Sequence, residues 1–288
     1  WANHSKPLAV YVAPDAPEAL TLLHKNNIAC FRTPESCAES VKTFLNTKNP
    51  VKQKILKNDL SNISKKLKKN ISKNLSEEEA LEIFKDIGIQ IVDYKVSFNE
   101  KQAIEHSSQI GFPLAMKVLS NKILHKTETG GVELNIKNLD ELKTSFQKLS
   151  DVFQKLKMKS SDEKFLIQKM EKGIAEIILG YRVDELVGPI VVLGSGGILS
   201  EIYNDKSIRM APVDITEAKK MINEVKSLVT ITGYRGLPEA DINIIANAVV
   251  NMSKFAFVRE IKEAEINPVI VKKENEGIVA VDGLITLN

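Results

Sequence analysis

Between Lys42 and Leu75 the chain carries ten lysines and a single acidic residue, Asp59, a local charge of +9. The rest of the 288 residues then carries −6, since the overall charge is +3. A charge run this concentrated cannot form a domain interior, so it divides the chain into a short block before it and a long one after it. The positive excess belongs to this one segment and does not make the whole chain a nucleic-acid binder. Within it Leu56, Leu60, Ile63, Leu67, Ile71 and Leu75 recur at steps of three or four, the spacing of an amphipathic helix. Such a helix suits either a membrane or partner surface, or a linker packed on one face. The apolar stripe lacks the aromatics of interfacial helices, which favours the linker.

Composition narrows the class. Hydrophobic residues at 43% and charged residues at 27% are ordinary for a globular protein. No apolar run approaches the ~20 residues of a membrane span; the longest, Pro189–Leu199, is broken by glycines. Two cysteines, Cys30 and Cys37, are too few for a disulfide framework or a Cys-rich metal site, and a reducing, cytoplasmic setting is expected. The chain starts at Trp1 without a methionine, and a processed or trimmed chain is expected.

The short block, residues 8–45, reads β-α-β-α. Strands are predicted at Leu8–Ala13 and Ile28–Phe31, a helix at Pro17–Asn27, and a second helix capped by Thr33 with Pro34 at its first position. That is half of a doubly wound domain. From Ser76 onward strands and helices alternate. Ser76 and Glu79 form a capping box. Helices are predicted at Asn99–Ile110, Leu139–Leu156, Thr216–Ser227 and Ile242–Phe257. Strands are predicted near Ile89–Val96 and at Phe112–Val118, Gly131–Ile136, Phe165–Met170, Glu176–Val183, Pro189–Leu193, Glu263–Lys272 and Gly277–Val281.

The Rossmann and P-loop glycine signatures are both missing. Four other clusters could carry chemistry. Lys117 lies inside an apolar strand and needs an anion, a phosphate oxygen for example, or an exposed edge. His125-Lys126-Thr127-Glu128-Thr129-Gly130-Gly131 puts a phosphoryl-accepting imidazole, a cation, a carboxylate and mobile glycines in one loop, or closes a hairpin. His4, His24 and His106 lack such neighbours and read as solvent-facing. Gly194-Ser195-Gly196-Gly197 offers successive amides as an anion nest, or a plain turn. Glu265 and Asn267 alternate onto one strand face, with Asp282 ending a neighbouring strand. Such oxygens, with phosphates and waters, suit Mg²⁺, or else they are surface polar groups. The chain has only five arginines, among them Arg209 and Arg235, so each hints at a use for a planar fork.

Taken in order, these clusters resemble the ATP-grasp domain of the ADP-forming acyl-CoA synthetases, relatives of succinyl-CoA synthetase. The stretches that carry the resemblance are Leu75-Ser-Glu-Glu-Glu-Ala, Gly111-Phe-Pro with Lys117, His125-Lys-Thr-Glu-Thr-Gly-Gly-Val132, and Gly188-Pro-Ile-Val-Val-Leu-Gly with Gly196-Gly197-Ile198 and Glu201. Arg209-Met-Ala-Pro212, Gly233-Tyr-Arg-Gly236 and Glu265-Ile-Asn-Pro268 with Asp282 complete the set. The resemblance implies an α/β fold: a two-lobed ATP-grasp domain over 76–288, a basic linker helix over 46–75, and in 1–45 the C-terminal remnant of a flavodoxin-like ligase domain. It implies the reaction acid + CoA + ATP = acyl-CoA + ADP + phosphate, through an acyl phosphate and a phosphohistidine. Lys117 would then neutralise the ATP phosphates, and Gln168 to Glu171 would meet adenine. Glu176 would face the ribose. Gly196, Gly197 and Arg209 would support the phosphates. Asn267 and Asp282, with Glu265, would hold Mg²⁺, and His125 would carry the phosphoryl group. CoA would be bound mainly by upstream domains, of the same protein or a partner subunit. The intact enzyme is expected to be a cytoplasmic homo-oligomer that uses neither nucleic acid nor membrane. Two departures stand out: Thr127-Glu128 replaces the family's usual Ser-Asp, and Glu185 replaces a proline. A carboxylate–amine ligase and a non-catalytic nucleotide sensor are the alternatives.

Overall fold

The computed structural model describes residues 7–47, 60–68, 70, 72–120, 129–155, 163–197 and 204–288, in two compact units, Trp1–Lys52 and Gln53–Asn288. In the first unit, strands β1 (Ala9–Tyr11) and β2 (Ala29–Phe31) run parallel with Ala9 opposite Ala29. Helices α1 (Pro17–Lys25) and α2 (Pro34–Asn46) complete the expected β-α-β-α order. Thr33 caps α2, its Oγ1 accepting the Ser36 amide at 3.2 Å. Helix α2 buries none of its residues, and Phe44 and Leu45 stand exposed. Two strands of three residues have too small an apolar face for independent stability.

The second unit begins within the basic segment. Helix α3 (Ser61–Leu67) turns Ile63 and Leu67 into the main core beside Leu75. Leu56 and Ile71 of the same stripe lie outside the described residues. Helix α4 (Glu77–Asp86) starts with the foreseen capping box: Ser76 Oγ accepts the Glu79 amide at 3.3 Å, and Glu79 Oε2 accepts the Ser76 amide at 2.8 Å. Such a cap stabilises by about 1 kcal/mol. Ala80, Leu81 and Phe84 bury one face of α4.

A four-stranded antiparallel sheet follows, in the order β3 (Tyr94–Ser97), β6 (Phe165–Lys169), β4 (Leu114–Val118), β5 (Val132–Ile136). Residues 89–93, expected to belong to β3, form no strand. Ile91 instead makes an isolated bridge to Ala280, and the Val92 amide donates to the Ala280 carbonyl. Helices α5 (Glu100–Ile110) and α6 (Leu139–Lys155) cover one face of this sheet. Because side chains alternate along a strand, Leu114, Met116 and Val118 of β4 and Phe165 and Ile167 of β6 join that helix-side core. Ala115 and Lys117, with Leu166 and Gln168, take the opposite face.

The larger sheet has the order β11 (Ile278–Ala280), β10 (Ile261–Val271), β7 (Ala175–Asp184), β8 (Gly188–Ser195), β9 (Lys206–Met210), with β12 (Gly283–Leu287) on the first half of β10. Its strand pairings are antiparallel. Helices α4, α7 (Ile215–Glu224) and α8 (Ile242–Ser253) bury its main core with Tyr181, Val191, Ala264 and Ile285. Strands β9 and β12 are additions to the sequence reading. The helix expected over Thr216–Ser227 stops at Glu224, and a 3₁₀ stretch, Lys226–Ile231, follows. A 3₁₀ turn, Lys254–Phe257, likewise ends the α8 segment. Where α4 crosses β12 the fit is close: a Cβ on Gly283 would stand 2.6 Å from Phe84 Cε2. No helix among the described residues is long and apolar enough to cross a membrane.

Candidate functional site

The site forms where the face of the smaller sheet opposite α5 and α6 meets the corner between β11 and β12. That corner is Val281-Asp282, and it faces the register shift in β10 that contains Asn267-Pro268. Two backbone bonds fix it there: the Asn267 amide to the Asp282 carbonyl at 3.3 Å, and the Val281 amide to the Pro268 carbonyl at 3.2 Å.

Lys117 reaches this corner from β4. Its residue is 4% exposed, yet its ammonium has three acceptors: Glu77 Oε1 at 2.7 Å, Asp282 Oδ2 at 3.0 Å and the Val281 carbonyl at 3.2 Å. An ammonium has three protons, so its donor capacity is filled. Burial pulls the Lys117 pKa down, but the charges of Glu77 and Asp282 outweigh it and hold the group above an ordinary lysine. Gln168, from β6, donates its Nε2 to the same Val281 carbonyl at 3.1 Å. Its Oε1 is the buried side-chain polar atom left without a partner among the described residues. That orphaned acceptor stands beside the charged cluster, where a buried polar atom calls for a partner.

Asp282 is half-open to solvent, its side chain 39% exposed, and its Oδ1 accepts the Gly283 amide at 2.8 Å. Asn267 donates Nδ2 to Glu265 Oε1 at 3.2 Å, so Glu265, Asn267 and Asp282 line one corner. Among the described residues no three His, Cys, Asp or Glu side chains gather as a metal cage. Two carboxylates and an amide oxygen still fit Mg²⁺, which keeps several waters and takes the rest of its shell from phosphates.

Glu176 and the glycine turn meet at the start of β7. The Gly196 amide donates to the Glu176 carbonyl at 2.7 Å, and a Cβ on Gly196 would come within 2.9 Å of Glu176. Gly197 has a φ of +85°, where glycine is favoured. Glu171, just past β6, pairs with Lys272 at 2.8 Å, which ties it to the end of β10. Glu176 lies opposite Ile270 and Glu265 opposite Gly180, so both take the sheet face away from the main core.

Arg209 is not brought to this cluster. It pairs in register with Val191, a main-core residue, and so takes the helix-covered face of the sheet. There its guanidinium holds Glu217 at 2.7 Å and also Glu224, both from α7. His125 and the rest of 121–128 lie outside the described residues, as do Ile198 and Glu201. His106 is not simply solvent-facing: its Nδ1 lies 2.8 Å from Ser97 Oγ. The residue that the sequence reading missed is Glu77, 3% exposed. Its spacing to Ala80, Leu81 and Phe84 follows the helical i, i+3, i+4, i+7 rule and places a carboxylate on the apolar face.

The two sheets and the corner between them define an ATP-grasp protein, and residues 65–287 match the family model described as an ATP-grasp domain. Within that class the chain belongs to the family of the ADP-forming acyl-CoA ligases. It is 36% identical over 212 residues to the beta subunit of acetate–CoA ligase (ADP-forming) I of Pyrococcus furiosus, covering 73% of this chain and 90% of that subunit. It is 30% identical over 279 residues to the acetate–CoA ligase (ADP-forming) of Methanocaldococcus jannaschii. That match takes in 94% of this chain but 37% of the relative, so the chain spans little more than a third of that enzyme. Among solved structures, the dinucleotide forming acetyl-coenzyme A synthetase 1 of Ca. Korarchaeum cryptofilum, in complex with coenzyme A and Ca-AMPCP, superposes with a TM-score of 0.71 at 30% identity. The match covers 80% of this chain and all of that one. The same enzyme has been solved with Mg-AMPPCP and its phosphohistidine segment pointing towards the nucleotide-binding site.

Proposed function

We propose that this chain works as the nucleotide half of an ADP-forming acyl-CoA synthetase: acid + CoA + ATP = acyl-CoA + ADP + phosphate. One observation carries the reading: Lys117, buried and fully bonded, ends at an exposed Asp282 carboxylate beside Asn267 and Glu265. Lys117 neutralises nucleotide phosphate, and Gly196 and Gly197 bring backbone close to it. Gln168 and Glu171 border the base and Glu176 the ribose. Asp282 and Asn267, with Glu265, hold Mg²⁺, which supplies charge neutralisation at the phosphates when bound. Arg209 acts from outside this cluster, by fixing α7 on the sheet edge.

His125 accepts the phosphoryl group. A ring nitrogen bonds to the γ-phosphorus as the bond to the β–γ bridging oxygen breaks, and ADP leaves. Imidazole is largely neutral at pH 7, near its reference pKa of ~6.5, so a nucleophilic nitrogen is available. The phosphoryl group then passes to the carboxylic acid, and CoA displaces phosphate from the acyl phosphate. CoA and the acid are held mainly by further domains, in the same protein or a partner subunit. Residues 1–45 are the end of one such flavodoxin-like domain, and 46–75 tether it. The assembled enzyme is a cytoplasmic homo-oligomer.

Labelling with [γ-³²P]ATP tests this reading. The chain, assembled with its CoA-binding domains, should take up acid-labile, base-stable label. His125→Ala and His125→Asn should abolish the label and acyl-CoA synthesis and keep ATP binding. Near-normal synthesis in either variant would leave the carboxylate–amine ligase as the better description.

A further inference from the structure

Lys117 sits between two carboxylates of unlike setting. Glu77, in the first turn of α4, has a side chain 1% exposed, and the Asp282 side chain is 39% exposed. The positive N-terminal end of α4 favours a carboxylate at Glu77. A buried carboxylate is costly to separate from a cation, because water cannot replace the lost partner. At Asp282 water can. All three ammonium protons are engaged, so a phosphate oxygen can bond Lys117 only by replacing an acceptor.

We propose that Glu77 is a positioning residue of the nucleotide site: it shares the Lys117 ammonium with Asp282, so that Asp282 gives Lys117 up to an entering phosphate and turns to the cation. The inference rests on the reading of Lys117 and Asp282 given above. It makes the cation part of nucleotide entry, because Mg²⁺ takes the carboxylate that Lys117 releases. Without Glu77, Lys117 and Asp282 form a one-to-one pair that the phosphate must break.

Calorimetric titration with the β,γ-methylene analogue of ATP, in EDTA and in Mg²⁺, tests it on this chain. In EDTA, Glu77→Gln should weaken binding at least tenfold. Asp282→Asn should strengthen binding in EDTA by threefold or more and remove most of the gain from Mg²⁺. The double variant should bind within threefold of Asp282→Asn, since no carboxylate then competes for Lys117. A purely structural role for Glu77 predicts equal loss in both backgrounds, and that result overturns the proposal, as does an unchanged affinity in Glu77→Gln. Should Glu77→Gln not fold, Glu77→Asp carries the same comparison. Its partial loss should vanish in the Asp282→Asn background, and a loss that persists there counts against the proposal. Lys117→Met separates the two levels: wild-type affinity in that variant would sink the reading of the site itself, whatever Glu77 does.

Discussion

Lys117 and Gln168, on neighbouring strands of one sheet, donate to the same carbonyl on another, that of Val281, at 3.2 and 3.1 Å. Ala115 pairs with Gln168 and Lys117 with Leu166, so the two donors stand on one face and converge on one acceptor. The smaller sheet thus grips the β11–β12 corner through two buried side chains.

Gln168→Met should separate base recognition from phosphate recognition. It removes one hydrogen bond but also the orphaned Oε1, so stability should change by no more than about 1 kcal/mol. Affinity for ATP should fall about fivefold, while affinity for tripolyphosphate stays at wild type. An equal fall for both ligands would take Gln168 away from the base.

Gly196→Ala should fail for lack of room. Its new methyl would stand 2.9 Å from Glu176 backbone and Cβ, atoms that cannot swing aside. A cost of about 1–3 kcal/mol is expected from such overpacking, read as a lower urea midpoint. Unchanged stability together with unchanged ATP affinity would show that the turn is not in close contact with Glu176.

Acid should loosen the hold of Arg209 on α7. The hydrogen bond from Arg209, then that from Lys220, holds Glu217 below the ordinary glutamate value of 4.5, and Arg209 followed by Ser207 does the same for Glu224. Carboxylates with depressed folded values add stability that is complete above about pH 4.5 and fades as pH falls through those values. Wild type should therefore lose thermal midpoint below pH 4.5 more steeply than Arg209→Met. Parallel curves for the two proteins would detach the acid loss from this cluster. Both glutamates are partly exposed, so the difference should shrink in salt.

The lysine-rich segment should not bind membranes. Ile63 and Leu67 are spent in the core, and Lys66 and Lys68 face Asp86 and Glu260. Sedimentation with vesicles containing anionic phospholipid at physiological salt should leave the chain in the supernatant. Substantial pelleting would restore the interfacial-helix reading.

Local rules made much of this molecule legible. The capping box at Ser76, the cap at Thr33 and the apolar strand around Lys117 are written in spacings of two to four residues, and they stand where expected. The partner of Lys117 is not legible in the same way, since Glu77 lies 40 residues upstream, beyond the reach of any local spacing. Strand β9 escaped because it is short and mixed, Lys-Ser-Ile-Arg-Met, with only Ser207 fully buried. The face on which Arg209 lies depends on strand register, which no local pattern in so short a strand fixes.

The close crossing of Phe84 over Gly283 ties the two ends of the Lys117 cluster together mechanically. Glu77 rides on the helix that carries Phe84, and Asp282 is the residue before Gly283, so neither carboxylate can shift along this crossing without pushing on the other's support. A single methyl at Gly283, a position with no charge, would act as a wedge on the corner that carries Asp282.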